Sequence, residues 1–306
     1  MDRHTLHILQ LKAGDLQLEI APEVGGSISA FFSQGPQGRI DWLRPASDEA
    51  LVQRNPLGMS SFPLVPFCNR IRNGRASFEG REIRFPPNHP AEDSPHPLHG
   101  IGWLRPWQVQ HVSATSAGLA LDVPASTAWP WHFSSTQEVL LAPDRADVTI
   151  TITNLDDVAM PAGIGHHPYF PHTPGTRVTS PCQAMWTADA QVMPLALEPT
   201  DAVRRLCEGV QLDELDLDNN FTGWQRRCTI EWEGGARRLV MQADPPLDYF
   251  VLYCPTGFPH FCAEPVSQCT DWLNLMPAFG RDAVGGSRLE PGETLHAHFT
   301  LALQWL

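Results

Sequence analysis

The sequence predicts an all-β protein, a sandwich or barrel built from many short antiparallel strands. Apolar and polar residues alternate in many short stretches, which is the pattern of half-buried strands. Turns rich in glycine and proline separate these stretches, and the 306 residues include 23 glycines and 29 prolines. Because proline cannot donate a hydrogen bond to a central β-ladder, so many prolines belong in loops and at sheet edges.

The elements follow this pattern from the N-terminus. Two strands are predicted at 6–11 and 16–20, joined by a turn at Ala13-Gly14-Asp15. One short helix is predicted at 47–53, with Ser47 as its N-cap. Leu289-Glu290-Pro291-Gly292-Glu293 is predicted to be a turn into the last strand. The other strands are predicted at 109–112, 119–123, 148–153, 229–232, 239–242, 250–253 and 296–303.

The length alone suggests two domains, at roughly 150 residues per domain. However, strand-like alternation continues on both sides of the densest loop stretch, 86–97, without a shift in composition. We therefore predict one domain spanning residues 1–306, with 86–97 as a long ordered loop. Loops on a rigid sheet are where functional sites are commonly built.

Composition and motifs exclude several classes of function. The 34 acidic and 21 basic residues give a formal net charge of −13, so the basic surface typical of nucleic-acid binding is missing. Lys12 is the only lysine, which argues against Schiff-base and pyridoxal chemistry. Walker A, G-x-G-x-x-G and G-x-S-x-G patterns are absent from the sequence, which removes the usual support for nucleotide-dependent and hydrolase functions.

The cysteines and the apolar runs bear on location. The seven cysteines are an odd number, widely spaced and without a Cys-x-x-Cys pair, so we expect reduced and mostly buried thiols. The N-terminal stretch has an early acid and no long apolar segment, and no run of about 18 apolar residues occurs. These observations predict a soluble cytoplasmic protein with no membrane partner.

Polar residues within apolar or aromatic segments are the candidate site. Asn69 and Arg70 open the segment 69–75, whose alternative interpretation is a solvated basic turn. A proline lies between His96 and His99 and a glycine follows His99, so a helical His-x-x-His metal site at 96–99 is improbable. His166 and His167 are adjacent on a predicted strand, so only one of them can readily face a site.

Two carboxylates complete the candidate set. Glu264 is the only acid between Asp248 and Asp271, and desolvation in such surroundings raises the pKa of a carboxyl toward the range of a general base. Its alternative is a strand-end carboxylate paired with an arginine. Asp218 begins the stretch Asp218-Asn219-Asn220-Phe221, for which an Asx-type turn is the simpler interpretation.

Taken in order, six motifs resemble the aldose 1-epimerase (galactose mutarotase) family. They are NRIRNG, LHG, GHHPYF, DNNF, AEPVSQ and LEPGE, and they run from Asn69 to Glu293 in the family's order and at about its spacing. The resemblance implies a large antiparallel β-sandwich of the galactose mutarotase type. This agrees with the fold class that the alternation predicts.

The resemblance also implies roles for individual residues. In that family an Asn-Arg pair and an aspartate contact sugar hydroxyls, a histidine before glycine assists at the ring, a later histidine is the general acid and a glutamate is the general base. The positions that match are Asn69, Arg70, Asp218, His99, His167 and Glu264. His167 is preferred over His166 because it directly precedes Pro168-Tyr169-Phe170.

The implied reaction explains these residue types. Exchange of anomers requires that the C1 hydroxyl lose its proton while the ring oxygen gains one, so that the ring opens, rotates about C1–C2 and closes on the other face. A carboxylate base and an imidazolium acid suffice, so the resemblance implies no metal and no redox cofactor. The implied partner is a small-molecule aldose, with neither nucleic acid nor membrane.

Three alternatives stay open. A hexose-6-phosphate epimerase of the same superfamily would need cations for the phosphate, and Arg72, Arg75 and Arg105 are the candidates. A non-catalytic sugar-binding β-sandwich would not need both His167 and Glu264. A cupin-like metalloprotein could use two imidazoles at 296–298, but the accompanying glycine and glutamate spacing is missing.

Overall fold

The computed structural model describes residues 6–36, 38–232 and 236–305. Within these ranges the chain forms 25 β-strands and four α-helices. The first strands are β1 (Leu9–Ala13), β2 (Leu16–Ala21), β3 (Ser27–Gly35), β4 (Gly38–Asp41), β5 (Pro63–Leu64), β6 (Arg75–Phe78), β7 (Arg81–Arg84), β8 (Gln108–Val112), β9 (Ser116–Val123), β10 (Phe133–Ala142), β11 (Arg145–Asn154), β12 (Met160–Ala162) and β13 (Gly165–His166).

The later strands are β14 (Tyr169–Pro171), β15 (Arg177–Thr179), β16 (Ala184–Ala188), β17 (Pro194–Glu198), β18 (Val210–Gln211), β19 (Leu217–Thr222), β20 (Arg227–Trp232), β21 (Arg237–Ala243), β22 (Tyr249–Cys254), β23 (His260–Val266), β24 (Ser287–Leu289) and β25 (Thr294–Trp305). The helices are α1 (Asp48–Gln53), α2 (Asp201–Glu208), α3 (Trp272–Phe279) and α4 (Arg281–Val284). Short 3₁₀ helices occur at Pro56–Gly58, Arg72–Gly74, Gly102–Leu104 and Leu212–Glu214.

Two large antiparallel sheets form the sandwich. The back sheet has the strand order β18-β15-β20-β21-β25-β11-β10-β9-β8 within the described ranges. The site sheet has the order β17-β16-β19-β22-β23-β13-β5, and β14 also pairs with β23. A smaller sheet, β1-β2-β3-β4, contacts the back sheet at β9 and β10, and β6-β7 and β12-β24 form separate pairs.

The main core lies between the two large sheets. The imidazole of His166, on the site sheet, is 5.3 Å from the ring of Phe299 on β25 of the back sheet. Strand β23 shows how the site sheet divides its residues, because neighbouring side chains point to opposite faces. Phe261 and Ala263 join the main core, whereas Cys262 and Val266 join a second apolar cluster on the other face.

The structure confirms the all-β sandwich and every predicted strand, to within a few residues at the ends. The predicted short helix is α1, and the Ser47 hydroxyl accepts a hydrogen bond from the Ala50 N–H at 3.1 Å. Helices α2, α3 and α4 were missed. They have eight, eight and four residues, too few to show a clear helical period, and Pro277 lies inside α3. Within the described residues no helix has the length and apolar character that a membrane crossing requires.

Candidate functional site

All six residues that the sequence singles out line one open cleft of about 630 Å³. The cleft lies on the face of the site sheet opposite the main core. The long loop predicted at 86–97 supplies part of the rim through residues 89–96, as expected for a loop that builds a site. Residues 190–192 supply another part of the rim. The six residues are Asn69, Arg70, His99, His167, Asp218 and Glu264.

Strand register brings distant residues together on this face. Asp218 pairs with Tyr253, Tyr253 with Cys262, and Cys262 with Tyr169, so the four form one row across β19, β22, β23 and β14. Residues paired across strands point to the same face of a sheet. Glu264 lies two residues after Cys262 on β23 and therefore shares that face.

Asn69 and His99 hold each other in place. Both have left-handed backbone conformations, with φ of 58° and 56°, in which asparagine and histidine are among the more common residues after glycine. The His99 N–H donates to the Asn69 carbonyl at 2.9 Å, and the Asn69 N–H donates to His99 Nδ1 at 3.0 Å. Because Nδ1 accepts this bond, the neutral imidazole carries its proton on Nε2. Burial also lowers the pKa of His99 well below its usual value, so His99 is a neutral Nε2–H donor.

The ring of His167 packs against two aromatic rings. Its centroid lies 4.7 Å from that of Phe62 and 4.7 Å from that of Tyr169, with interplanar angles of 28° and 25°. The ring of His99 stands perpendicular to it at 5.1 Å. This packing aims His167 Nε2 at Glu264, where the Nε2–Oε1 distance is 3.2 Å. That distance is within the range for proton transfer.

Burial acts in opposite directions on the two members of this pair. It raises the pKa of Glu264 well above its usual value, and the nearby negative charge of Asp218 raises it further, while Arg70 opposes the rise. Burial lowers the pKa of His167 to about 3. At pH values between the lowered pKa of His167 and the raised pKa of Glu264, the pair holds one proton. The expectation of a raised Glu264 pKa therefore agrees with the structure, and its cause is desolvation.

Arg70 and Asp218 form a polar wall beside the pair. Arg70 Nη1 lies 3.8 Å from Asp218 Oδ2, and Asn69 Oδ1 accepts hydrogen bonds from the Arg70 backbone N–H at 2.8 Å and from Nη1 at 3.5 Å. The Arg70 side chain is mostly buried, so the alternative interpretation as part of a solvated basic turn does not hold for this residue. The Asx-turn interpretation of 218–221 is wrong, because these residues lie within β19.

His166 faces the main core, not the cleft. Its Nδ1 forms a hydrogen bond with the Ser61 hydroxyl, and its Nε2 lies 3.0 Å from Gln137 Oε1 on β10. Gln137 in turn donates to the Gly26 carbonyl at 2.8 Å. Of the two adjacent histidines, only His167 lines the cleft, as strand alternation requires.

Other candidates lie away from the cleft. Arg72 is 3.4 Å from Asp271 and 3.7 Å from Asp189, and Arg105 lines a separate cavity. Neither these two arginines nor Arg75 is among the residues that line the cleft. The imidazoles at 296–298 belong to the back sheet, where His298 pairs with Asp244 at 2.8 Å.

Several residues at the cleft were not found from the sequence. Tyr253 and His260 line it, and Arg44 lies over the Tyr169 ring at 3.8 Å while donating to backbone carbonyls. His260 and Cys262 lie four and two residues before Glu264, so strand parity would have placed both on its face. Ligand atoms of Cys262, His167 and Glu264 lie within 4.8 Å of one another, which makes this cluster able to hold a metal ion.

Comparisons with known proteins identify the family and the fold. The sequence model of the aldose 1-epimerase family matches residues 7–302. The uncharacterized protein YphB of Escherichia coli K12 is 29% identical over 317 aligned positions, covering 98% of this chain and 99% of YphB. A crystal structure from Escherichia coli K12, provisionally described as an aldose 1-epimerase, has a TM-score of 0.87 at 28% identity and covers 98% of this chain and 100% of that one. A galactose mutarotase-like protein from Clostridium acetobutylicum shares the fold, with a TM-score of 0.83 at 19% identity, covering 98% of this chain and 99% of that one.

Proposed function

The chain belongs to the aldose 1-epimerase family, and we propose that it interconverts the α and β anomers of an unphosphorylated hexose. The observation that carries the proposal is the His167–Glu264 pair. Two titratable groups of opposite type lie 3.2 Å apart, both buried, on the wall of an open cleft. Groups whose environment shifts their pKa values in this way are typical of acid–base sites.

Each proton in the proposed reaction has a donor and an acceptor. Glu264 takes the proton of the C1 hydroxyl, the electrons of that O–H bond form the carbonyl, and the C1–O5 bond breaks. His167 gives a proton to the ring oxygen as the bond breaks. After rotation about C1–C2 the same groups run the reverse steps on the other face of the carbonyl.

The one-proton state of the pair suits this exchange. With two protons it has no base, and with none it has no acid. At rest the shared proton lies on Glu264, and its transfer to His167 across 3.2 Å gives the ionised pair that begins the first step. After that step both groups are neutral again. Burial disfavours the charged form of both groups. Glu264 gains a proton from the sugar and His167 gives one to it, so the first step leads to the neutral pair that the buried site stabilises.

The remaining residues position the sugar. We assign His99 as a neutral Nε2–H donor to a sugar oxygen, because its Nδ1 is already occupied by the Asn69 N–H. Arg70 and the Asn69 side-chain amide supply donors for hydroxyl groups, and the Asp218 carboxylate supplies an acceptor. A carboxylate, an imidazole and these donors complete the chemistry, so the proposed mechanism uses no metal or redox cofactor.

The rim of the cleft favours a free sugar over a sugar phosphate. Glu92 and Asp93 lie on the rim and are exposed, and they would repel a phosphate group. The three arginines proposed for phosphate contact, Arg72, Arg75 and Arg105, are not among the cleft residues. A binding protein without catalysis would not require the buried His167–Glu264 pair.

The setting of the reaction is part of the proposal. We propose that residues 1–306 act as one domain, since the cleft draws residues from Asn69 to Glu264 and the main core draws from the whole described chain. A cytoplasmic location is supported by the seven cysteines, all of which are free thiols.

The decisive experiment follows the anomers directly. Freshly dissolved α-D-glucose and α-D-galactose are monitored by polarimetry or NMR exchange, with and without the protein, and glucose 6-phosphate is measured in parallel by NMR. We expect acceleration of at least one free aldose above its spontaneous rate and little acceleration of the phosphate. A protein that accelerates none of them would rule out the epimerase. Acceleration of the phosphate alone would identify the 6-phosphate epimerase instead.

A further inference from the structure

Cys262 adds a third potential metal ligand beside the acid–base pair. One atom each from the His167 imidazole, the Cys262 thiol and the Glu264 carboxylate lies within 4.8 Å of the other two, and all three residues are buried. We call these residues the His-Cys-Glu cluster. The proposed reaction uses only two of them and gives Cys262 no task.

The backbone explains why the cluster forms. Cys262 and Glu264 are two residues apart on β23 and therefore point to the same face of the site sheet. Tyr169 of β14 pairs with Cys262, and His167 lies two residues before Tyr169, between β13 and β14, so its ring reaches the same place. Two of the three ligands thus sit on one strand, and strands hold metal ligands more rigidly than loops do.

The distances suit a tetrahedral ion. Zinc binds imidazole nitrogen and carboxylate oxygen at about 2.0–2.1 Å, so two such ligands lie about 3.3 Å apart. The observed separation of His167 Nε2 and Glu264 Oε1 is 3.2 Å. A sulfur at about 2.3 Å from zinc lies about 3.6 Å from each of the other ligands. Since the observed separations are at most 4.8 Å, rotation of the Cys262 side chain has to bring the sulfur closer by at most about 1.2 Å.

An unpartnered buried atom points in the same direction. Glu264 Oε2 is buried without a hydrogen-bond partner in the described part of the chain. Glu264 is 2% exposed, so this carboxylate oxygen has little access to bulk water. Buried polar atoms in this state call for an explanation, and an ion or ordered water is a common one.

We propose that the His-Cys-Glu cluster binds a thiophilic divalent cation such as Zn²⁺, and that the bound ion inhibits the enzyme. Thiolate, imidazole and carboxylate together favour zinc and cadmium over magnesium and calcium, which prefer oxygen ligands alone. Three protein ligands leave a fourth position for water or a sugar oxygen. The inhibitory part rests on the proposed function, whereas the binding part does not.

Binding displaces protons from the cluster. The Cys262 thiol loses one proton when it becomes a thiolate ligand, and the His167–Glu264 pair loses the one that it shares. Both protons go to solvent, so affinity rises with pH. The ion then occupies the lone pairs of Nε2 and the carboxylate that the proposed ring opening needs, which is why bound metal stops catalysis.

The binding test uses metal-free protein, prepared with a chelator that is then removed. Zn²⁺ binding is measured by calorimetry, and Cd²⁺ binding by the ultraviolet charge-transfer absorption of a cadmium–thiolate bond. We expect one ion per chain, and at least about 100-fold weaker binding in Cys262→Ser, because loss of an outer-shell partner alone already costs 10–100-fold. The matched control is Cys207→Ser, which removes the one exposed cysteine and should leave this binding intact.

A second variant covers the case in which Cys262→Ser fails to fold, as circular dichroism would show. Glu264→Gln replaces the carboxylate by an amide of the same shape, and it should also weaken Zn²⁺ binding at least about 10-fold. Equal affinity in wild type and in either folded cluster variant would place the ion elsewhere and overturn the proposal. So would the absence of binding at millimolar Zn²⁺.

Inhibition is scored separately from binding. For each variant the mutarotation rate with Zn²⁺ is divided by the rate of the same variant without metal. We expect this ratio to fall with occupancy in wild type and in Cys207→Ser, to recover with chelator, and to stay near one in Cys262→Ser. Bound metal without inhibition would overturn the inhibitory role. A wild-type protein with no metal-free activity would refute the proposed function and leave the binding result standing.

Discussion

His166 and His167 are neighbours in the chain and both are buried, yet they face opposite sides of the site sheet. His166 is fully buried in the main core, and both of its ring nitrogens have partners, Ser61 and Gln137. His167 is 8% exposed, its Nδ1 has no partner within the described residues, and its Nε2 lies 3.2 Å from a buried carboxylate.

The difference separates a structural histidine from a reactive one. Burial lowers the pKa of both to about 3, so the pKa alone does not distinguish them. What distinguishes them is the surroundings. The core side satisfies its polar atoms, which stabilises the fold, whereas His167 Nδ1 and Glu264 Oε2 on the cleft side have no hydrogen-bond partner within the described residues.

The largest effect is expected from Glu264→Gln, which removes the proposed base. The mutarotation rate should fall by roughly 10²- to 10⁴-fold, the usual contribution of a general acid or base. Stability at pH 8 should not fall, because a neutral amide replaces a carboxyl whose charged form is disfavoured by burial. Polarimetry and urea denaturation measure the two quantities.

The matched control for this variant is Glu138→Gln on the back sheet, where the side chain is 41% exposed. It should change neither activity nor stability appreciably. Full activity of Glu264→Gln would show that Glu264 is not the base.

The next effect contrasts the two histidines. His166→Leu should lower the free energy of unfolding by about 2–3 kcal/mol, because it leaves the Ser61 hydroxyl and Gln137 Oε1 without their hydrogen-bond partner. His167→Leu should lower it by only about 1 kcal/mol, since the change removes one contact, that of Nε2 with Glu264 Oε1, and Nδ1 has no partner among the described residues. It should nevertheless abolish most of the activity. The comparison fails if the two variants show equal stability losses.

Acid should weaken the fold through these buried imidazoles. The unfolded chain binds protons at its histidines near pH 6.5, whereas folded His166 and His167 bind them only near pH 3. Their contribution to stability is therefore complete above pH 6.5 and is lost as the pH falls toward 3, at about 1.4 kcal/mol per pH unit for each histidine.

Urea denaturation at pH 7.5 and pH 5.0 measures this loss. In His166→Leu the difference in unfolding free energy between the two pH values should be smaller than in wild type by about 2 kcal/mol. An unchanged difference would mean that His166 is not held neutral in the folded protein. Glu264 has the opposite sign, since its raised pKa removes stability as the pH rises above its usual value.

The smallest effect is expected from Asp218→Asn at the edge of the cleft. KM for the sugar should rise about 10-fold, because a charged acceptor for a hydroxyl group becomes a neutral one. The negative charge of Asp218 also raises the pKa of Glu264, so its removal should move the alkaline limb of the kcat/KM profile to lower pH. A higher KM with an unmoved limb would separate sugar binding from the electrostatic role.

Much of the cleft could be predicted from the chain, and the limits of that prediction are physical. The rule that side chains alternate along a strand predicted that only one of His166 and His167 faces the site, and the motif around Pro168-Tyr169-Phe170 indicated His167. The same rule applied to β23 would have added His260 and Cys262 to the face of Glu264. Asp218 was harder to place, because Asp-Asn-Asn is common in turns and only the pairing of β19 with β22 shows that it is a strand.

The sequence by itself determined the all-β class and nine of the 25 described strands, because these follow from local periodicity, and its ordered motifs indicated the six candidate residues. Only the tertiary structure decided which residues meet. The 3.2 Å contact of His167 with Glu264, the place of Cys262 beside them and the distance of Arg72 and Arg105 from the cleft depend on strand register. Register is set by packing between residues far apart in the chain, and local patterns do not contain it.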